Sequence, residues 1–467
     1  MERIHRVTLE LGNARIGRLL WKQGFPAAIG MLVMVLYNIV DTIYVGRAVG
    51  PLAIAGIAVV LPISMFVASI GMSLGIGGAS IISRALGAQN TDKAYKAFGN
   101  LIALTAVSSI AFMILAYLFS DSLLLAFGAK GRILPYARDY FLIVMGGAPF
   151  LASAMMANNV IRAEGHAKIA MLTMITSALL NIVLDPIFIF GFGWGIKGAA
   201  FATVISQFAA FLFILWHFSI GNSSLKIKLH HLQLEKPIVK ETLALGATSL
   251  ARQGSSSLMV MVINNMAFHY GGELAVAIYG ILNRVFMFII FPMLGLVQGF
   301  LPVAGFNYGA KKYLRVKKSL IVANKAGLII TIGGFTLLMA LAPQIASVFT
   351  KDQVLVSMTG HAIRLLIMAY PLMAFQMLGA AYFQAIGKAF PAFLLTISRQ
   401  GIILIPLALI LPSFFKLDGV WMAFPLADIL STLLTFFFIW PQWKWLTQRT
   451  EKQNQKNKLL PNVATKQ

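Results

Sequence analysis

The sequence predicts an all-α membrane protein of twelve transmembrane helices arranged as two six-helix lobes, on three observations. Hydrophobic residues make up 59% of the 467 positions and charged residues 11%, with mean hydropathy +0.81, too few charges to cover a water-soluble surface. Apolar runs of about twenty residues or more, enough to cross a bilayer, recur along the whole chain. The first half matches the second at a constant spacing of 222 residues.

The segment 1–18 lacks a short apolar core followed by a small-residue cleavage site, so it is expected to be a retained cytoplasmic arm. The first lobe, 19–220, holds spans at 19–46, 52–82, 97–120, 135–160, 169–191 and 196–220. The polar stretch 221–240 is the longest interruption and is expected to link the halves. The second lobe, 241–446, holds spans at 241–270, 273–305, 319–343, 358–385, 391–412 and 419–446. Several exceed what a bilayer requires and should tilt, kink or extend into water. The tail 447–467 is too polar to fold by itself and is expected to be disordered.

The net charge of +23 tests this count, because lysine and arginine collect in cytoplasmic loops. Twelve spans put 26 of the 38 basic residues on one side, with both termini and with Arg84, Lys96, Arg162, Lys168, Lys226, Lys311 and Arg315. The opposite side keeps Arg47, Lys130, Arg132, Arg138, Lys197, Lys351 and Lys416. Both termini are therefore expected in the cytoplasm, in a multi-pass protein of the cytoplasmic (inner) membrane. Once its basic residues are placed as a topology signal, the charge gives no case for nucleic-acid binding. The absence of cysteine excludes disulfides, thiolate metal sites and a cysteine nucleophile.

The repeat pairs Gly24 with Gly246, Gly50 with Gly272, Gly87 with Gly309, Pro149 with Pro371 and Gly165 with Gly387 without a gap, and a one-residue slip then pairs Gly198 with Gly419. Six spans per repeat is an even number, so both lobes enter the membrane in the same orientation and should flank a central cleft. Rocking of such lobes exposes the cleft alternately to the two sides of the membrane.

The lobes differ where chemistry is expected. Asp41 lies in the first apolar run and pairs with Ile263; Asp185 pairs with Leu407. An ionisable group inside the hydrocarbon costs a few kcal/mol or more without partners and by default marks an ion or substrate path. Asn181 and Asp185, four residues apart, share a helix face, and Pro186 frees a carbonyl in the preceding turn. Thr203 on the next helix can add a hydroxyl, and Tyr37, one turn before Asp41, a phenol. These hard-oxygen ligands suit a proton or a small cation such as Na+; no other metal is indicated. Pro26 should kink or hinge the first helix. The competing structural reading is that the aspartates only hydrogen-bond neighbouring helices, with Asn181 and Thr203 as packing glue.

In the second lobe, Arg252, Arg284, Arg364, Arg399 and Asp428 lie in or near spans, and an Arg284 or Arg399 deep in a helix needs a partner, for which Asp428 is the nearest candidate by composition. Glu273 is expected at the surface. The 22 methionines and 34 phenylalanines can help line a cleft for varied apolar cations, although such residues are more often core and lipid-facing filler. No Walker loop, HExxH or glycine-rich strand-turn-helix unit is present, so the chain is not expected to be an enzyme or to hydrolyse nucleotides. Coupling to an ion gradient remains.

The stretches YNIVDTIYVGRAVGPLAIAGIAVVLP, GGASIISRALGAQN, NNVIRAEGHAKIAM, NIVLDPIFIFGFGWGIKGAAFATVISQ and IYGILNRVFMF resemble the multidrug and toxic compound extrusion (MATE) family, its prokaryotic multidrug-efflux branch, over residues 15–445. The resemblance implies two six-helix lobes around a V-shaped cleft and export of organic cations in exchange for H+ or Na+. It also implies a first-lobe cation site of an aspartate in the first helix, Asn-x-x-x-Asp in the fifth and a threonine in the sixth, which map to Asp41, Asn181, Asp185 and Thr203. Other branches carry a glutamate in the seventh helix and an aspartate in the tenth; both acids are missing here, which leaves a second-lobe cation site doubtful. The expectation is a monomeric antiporter for cationic amphiphiles, with no cofactor beyond the coupling ion. The alternative is a flippase for lipid-linked precursors of a related fold, which would use cleft-facing arginines.

Overall fold

The computed structural model describes residues 10–226 and 229–459, and every regular element among them is helical. The first lobe contains α1 (Ile16–Ala48), α2 (Pro51–Gly87), α3 (Thr91–Leu118), α4 (Leu134–Gly146), α5 (Ala148–Ala163), α6 (Ala167–Pro186) and α7 (Gly195–Ser219). The second contains α8 (Lys236–Gly309), α9 (Tyr313–Ser347), α10 (Gln353–Leu366), α11 (Met373–Ala385), α12 (Ala389–Ile397), α13 (Ile405–Ile410) and α14 (Pro412–Leu459). Among the described residues, nine helical stretches are long and apolar enough to cross a membrane, and two bent pairs, broken by 53° before Ala148 and by 45° before Tyr370, raise the number to eleven. At 74 residues α8 would be about 110 Å long, far beyond one bilayer. It breaks at Gly272, where φ is 65°, and supplies two spans, which makes twelve.

The duplication is visible in the backbone. Gly50 (φ 102°) and its mate Gly272 (φ 65°) both turn the chain between the first two spans of a repeat, and Gly165 (φ 91°) and Gly387 (φ 81°) do so between the fourth and fifth. A left-handed turn costs little only without a Cβ, so glycine stands at both copies. Gln89 (φ 57°) and Lys311 (φ 56°), another pair at the same spacing, adopt the same conformation with side chains present.

Each lobe has its own core. In the first, Val45, Val60, Ile63, Phe141, Val144, Ile189 and Ile196 pack together; in the second, Ile263, Tyr279, Leu366, Tyr370 and Trp421. The compact units divide at residue 250, and residues 11–21, expected with the arm and the first lobe, belong to the second unit. Their backbone explains this. Asn307 Nδ2 donates to the Leu11 carbonyl at 3.0 Å, Lys312 Nζ to that of Gly12 at 3.1 Å and Arg315 to that of Ala14 at 2.7 Å. Residues 1–9 of the expected arm lie outside the described residues.

The segment expected as a linker is stapled along the first lobe. The buried Glu164 carboxylate accepts from Ser223 Oγ at 2.8 Å and from the backbone N–H groups of Ser224 at 2.7 Å and Leu225 at 3.1 Å. His231 stacks on Tyr95, Asn100 hydrogen-bonds both Gln233 O and Glu235 N, and Lys96–Glu235 and Arg84–Glu241 ion pairs complete the attachment. The tail departs from expectation: 447–459 continue α14 as helix. Thr447 accepts from Lys317 Nζ at 2.9 Å and Arg449 stacks on Trp445, while Lys, Gln and Glu are good helix formers. Residues 460–467 lie outside the described residues.

Candidate cation site in the first lobe

Three helices carry the site: α1 brings Asp41, α6 brings Asn181 and Asp185, and α7 brings Thr203. Asp41, Asn181 and Asp185 are only 7%, 2% and 0% exposed. The four-residue spacing on α6 lets Asn181 Nδ2 donate to Asp185 Oδ1 at 3.4 Å, and the same amide reaches Thr203 Oγ1 at 3.5 Å. Thr203 donates in turn to the Ala199 carbonyl at 2.9 Å. The Asp41 and Asp185 carboxyl groups face each other within hydrogen-bonding range. Pro186 removes the N–H that would pair with the carbonyl one turn back, and the chain then widens into a π-helical turn, Ile187–Gly191, before Gly193 and Gly195 reverse it.

The chemistry follows from what is left over. Asp41 Oδ1, Asn181 Oδ1 and Asp185 Oδ2 are buried with no hydrogen-bond donor. Buried polar atoms in native folds are nearly always paired, so three converging acceptors need an explanation. Two carboxylates this close, out of water, also cannot both stay negative without positive charge beside them. A proton or a small cation is the kind of charge that these oxygens are suited to take up.

Tyr37 is half-buried one turn before Asp41. A second phenol, Tyr140 of α4, was not anticipated: it is buried and lies within interaction range of Thr203, Asp41, Tyr37 and Asp185. The repeat contained the signal, since Tyr140 pairs with Ala362 just as Asp41 pairs with Ile263. Pro26 is half-buried, and α1 keeps helical dihedrals through it, so the kink expected there is no break in the backbone of this conformation.

In the second lobe Arg399 Nε donates to Asp428 Oδ1 in a buried ion pair. Arg364 is exposed and donates to the Met339 carbonyl at 3.3 Å. Arg284 and Glu273 are exposed, and Arg252 is partly buried.

Twelve spans in two duplicated lobes, with a buried oxygen-lined site in one of them, define a multi-pass membrane transporter. The MatE family model matches residues 26–187 and 251–410, and the chain belongs to this family of efflux transporters, multidrug and toxic compound extrusion. It is 28% identical over 415 residues to the multidrug export protein MepA of Staphylococcus haemolyticus, covering 89% of this chain and 91% of that protein. Two crystal structures of a MATE protein, described as the bent and the straight conformation, superpose with TM-scores of 0.88 and 0.87 at 28% and 29% identity, covering 95% and 94% of this chain and 98% of each relative.

Proposed function

We propose that the protein is a secondary antiporter of the cytoplasmic membrane that expels cationic amphiphilic compounds in exchange for inward H+ or Na+, with both termini in the cytoplasm and no cofactor beyond the coupling ion. The observation that carries this reading is the trio of buried, unpartnered oxygens on Asp41, Asn181 and Asp185. When positive charge enters, the two carboxyl groups are neutralised and α1 is drawn toward α6; when it leaves, their repulsion pushes the helices apart. Bending of α1 at Pro26, which leaves the Lys22 carbonyl without its helical donor, gives that push a soft point. The bent and straight structures of a relative support a cycle between two shapes. Export of multiple drugs by the staphylococcal relative supports the substrate class.

The flippase alternative needs unpaired cations for a pyrophosphate. The Arg399 charge is already taken by Asp428, which favours the antiporter. The test is substrate efflux from proteoliposomes under an imposed proton gradient and then an imposed sodium gradient, with Asp41→Asn and Asp185→Asn alongside. Gradient-driven efflux at wild-type rates in both variants would sink the proposal.

A further inference from the structure

We propose that Arg399 is a tethered cation: it permanently fills the second lobe's counterpart of the ion site, so that only the first lobe exchanges an ion with solution. The inference rests on the first-lobe assignment above.

The repeat matches the two sites position by position. The first-lobe site lies between α6 and α7, and the Arg399–Asp428 pair joins their repeat mates, the broken helix 389–410 and α14. By the spacings of 222 and 221 residues, Asn181, Asp185 and Thr203 map to Ile403, Leu407 and Phe424, so every ligand of the first site has become apolar. The positions one turn away changed the other way. Ser177 maps to Arg399, and Gln207 to Asp428. The second lobe therefore carries an acid between the same two helices, one turn from the counterpart positions, and on the facing helix a covalent positive charge.

The local backbone fits this use. Residues Ser398–Leu404 widen into a π-helical segment, and such bulges often sit at functional sites. Gly401 lies within it, where a Cβ would come 2.9 Å from Ser255 Oγ, so the absence of a side chain lets that hydroxyl approach. The carboxylate and guanidinium side chains are 3% and 11% exposed. The Gln400 Oε1 oxygen is buried without a donor. Among the described residues Tyr370 is also in range of the pair, and its hydroxyl donates to the Ile289 carbonyl at 3.2 Å. Ser431, one turn on, donates to the Asp428 backbone carbonyl at 3.2 Å and is uncharged.

A guanidinium does not release its proton at physiological pH, so an acid paired with it is neutralised without drawing H+ or Na+ from water. The buried pair is also expensive to break from one side, because a lone carboxylate would remain out of water. Removing Arg399 alone should thus convert Asp428 into a working site for an exchangeable cation.

The experiment uses purified full-length protein with the first-lobe site silenced by Asp41→Asn and Asp185→Asn. Bound 22Na+ and proton uptake are measured with and without a further Arg399→Gln. Arg399→Gln should gain one equivalent of H+ or Na+ per chain, Arg399→Lys should gain none, and adding Asp428→Asn should abolish the gain. In the otherwise wild-type chain, Arg399→Gln/Asp428→Asn removes the tethered charge together with its acid, and a neutral pair of similar size is tolerated. This variant should keep gradient-driven efflux within about threefold of wild type, at the same ion-to-substrate ratio. No gained ion in a folded Arg399→Gln protein would overturn the proposal. So would a loss of more than about tenfold in coupled efflux by the double variant when it elutes as the wild type does. Efflux that persists in the Asp41→Asn/Asp185→Asn background would instead overturn the first-lobe assignment, and the binding measurement on Asp428 does not depend on that result.

Discussion

Replacing Asp41 by asparagine should make the ion-free protein more stable while abolishing its response to the coupling ion. The wild-type site holds three buried acceptors without donors, on Asp41, Asn181 and Asp185. Each such atom costs about 1–3 kcal/mol. The introduced amide would bring an N–H within reach of Asp185 Oδ2, because the side chains of Asp41 and Asp185 already face each other. Filling one vacancy should raise ion-free stability by about 1–3 kcal/mol. Under the proposed function the wild type recovers its deficit by binding the ion, which at a hundredfold its dissociation constant would stabilise by about 2.7 kcal/mol. The assay is thermal unfolding of detergent-purified protein in alkaline choline buffer, then with sodium added or the pH lowered, beside efflux from proteoliposomes. The wild type should shift upward with the ion; Asp41→Asn should start higher and stay there, with no coupled efflux. An Asp41→Asn protein that starts lower than wild type, or that keeps the ion-dependent shift, would refute the reasoning.

Tyr140→Phe keeps the ring and loses the hydroxyl that meets Thr203, so the ion concentration for half-maximal efflux should rise about three- to tenfold with little change in folding. Glu164→Ala leaves the Ser224 N–H without its acceptor, whereas the Ser223 hydroxyl keeps the Leu225 carbonyl and the Leu225 N–H keeps Ser223 Oγ, a loss of about 1–3 kcal/mol that hydrogen exchange should locate at 223–225. The neighbouring His166 is held below the ordinary histidine value of 6.5 by burial; Glu164 pulls it upward, and His217 and Lys22 push it down. The fold therefore prefers the neutral ring: its contribution is complete above pH 6.5 and is lost as pH falls through the lowered value. Exchange at 223–225, corrected for intrinsic rates, should speed up on acidification in the wild type and less so in His166→Phe.

Much of the architecture was written in one dimension because a bilayer leaves few alternatives. Apolar runs must become helices that satisfy their own backbone, and a constant 222-residue spacing must give two lobes built alike. The turn glycines Gly50, Gly272, Gly165 and Gly387 were readable for the same local reason, since each sits where the chain needs a positive φ. Asp41 and Asp185 stood out because a buried charge is rare and their repeat mates are apolar. Polarity misled at the tail, where 447–459 read as disordered but extend α14, and it did not show that the linker 221–240 is held by Glu164, His231 and Asn100. Neither attachment has a local signature, because each partner lies far away in the chain. The same limit hid Tyr140, and it left open which of Arg284 and Arg399 pairs with Asp428. Periodicity and composition report how a residue meets lipid or its own helix, whereas three oxygens without donors form a candidate site only when α1 and α6 bring them together.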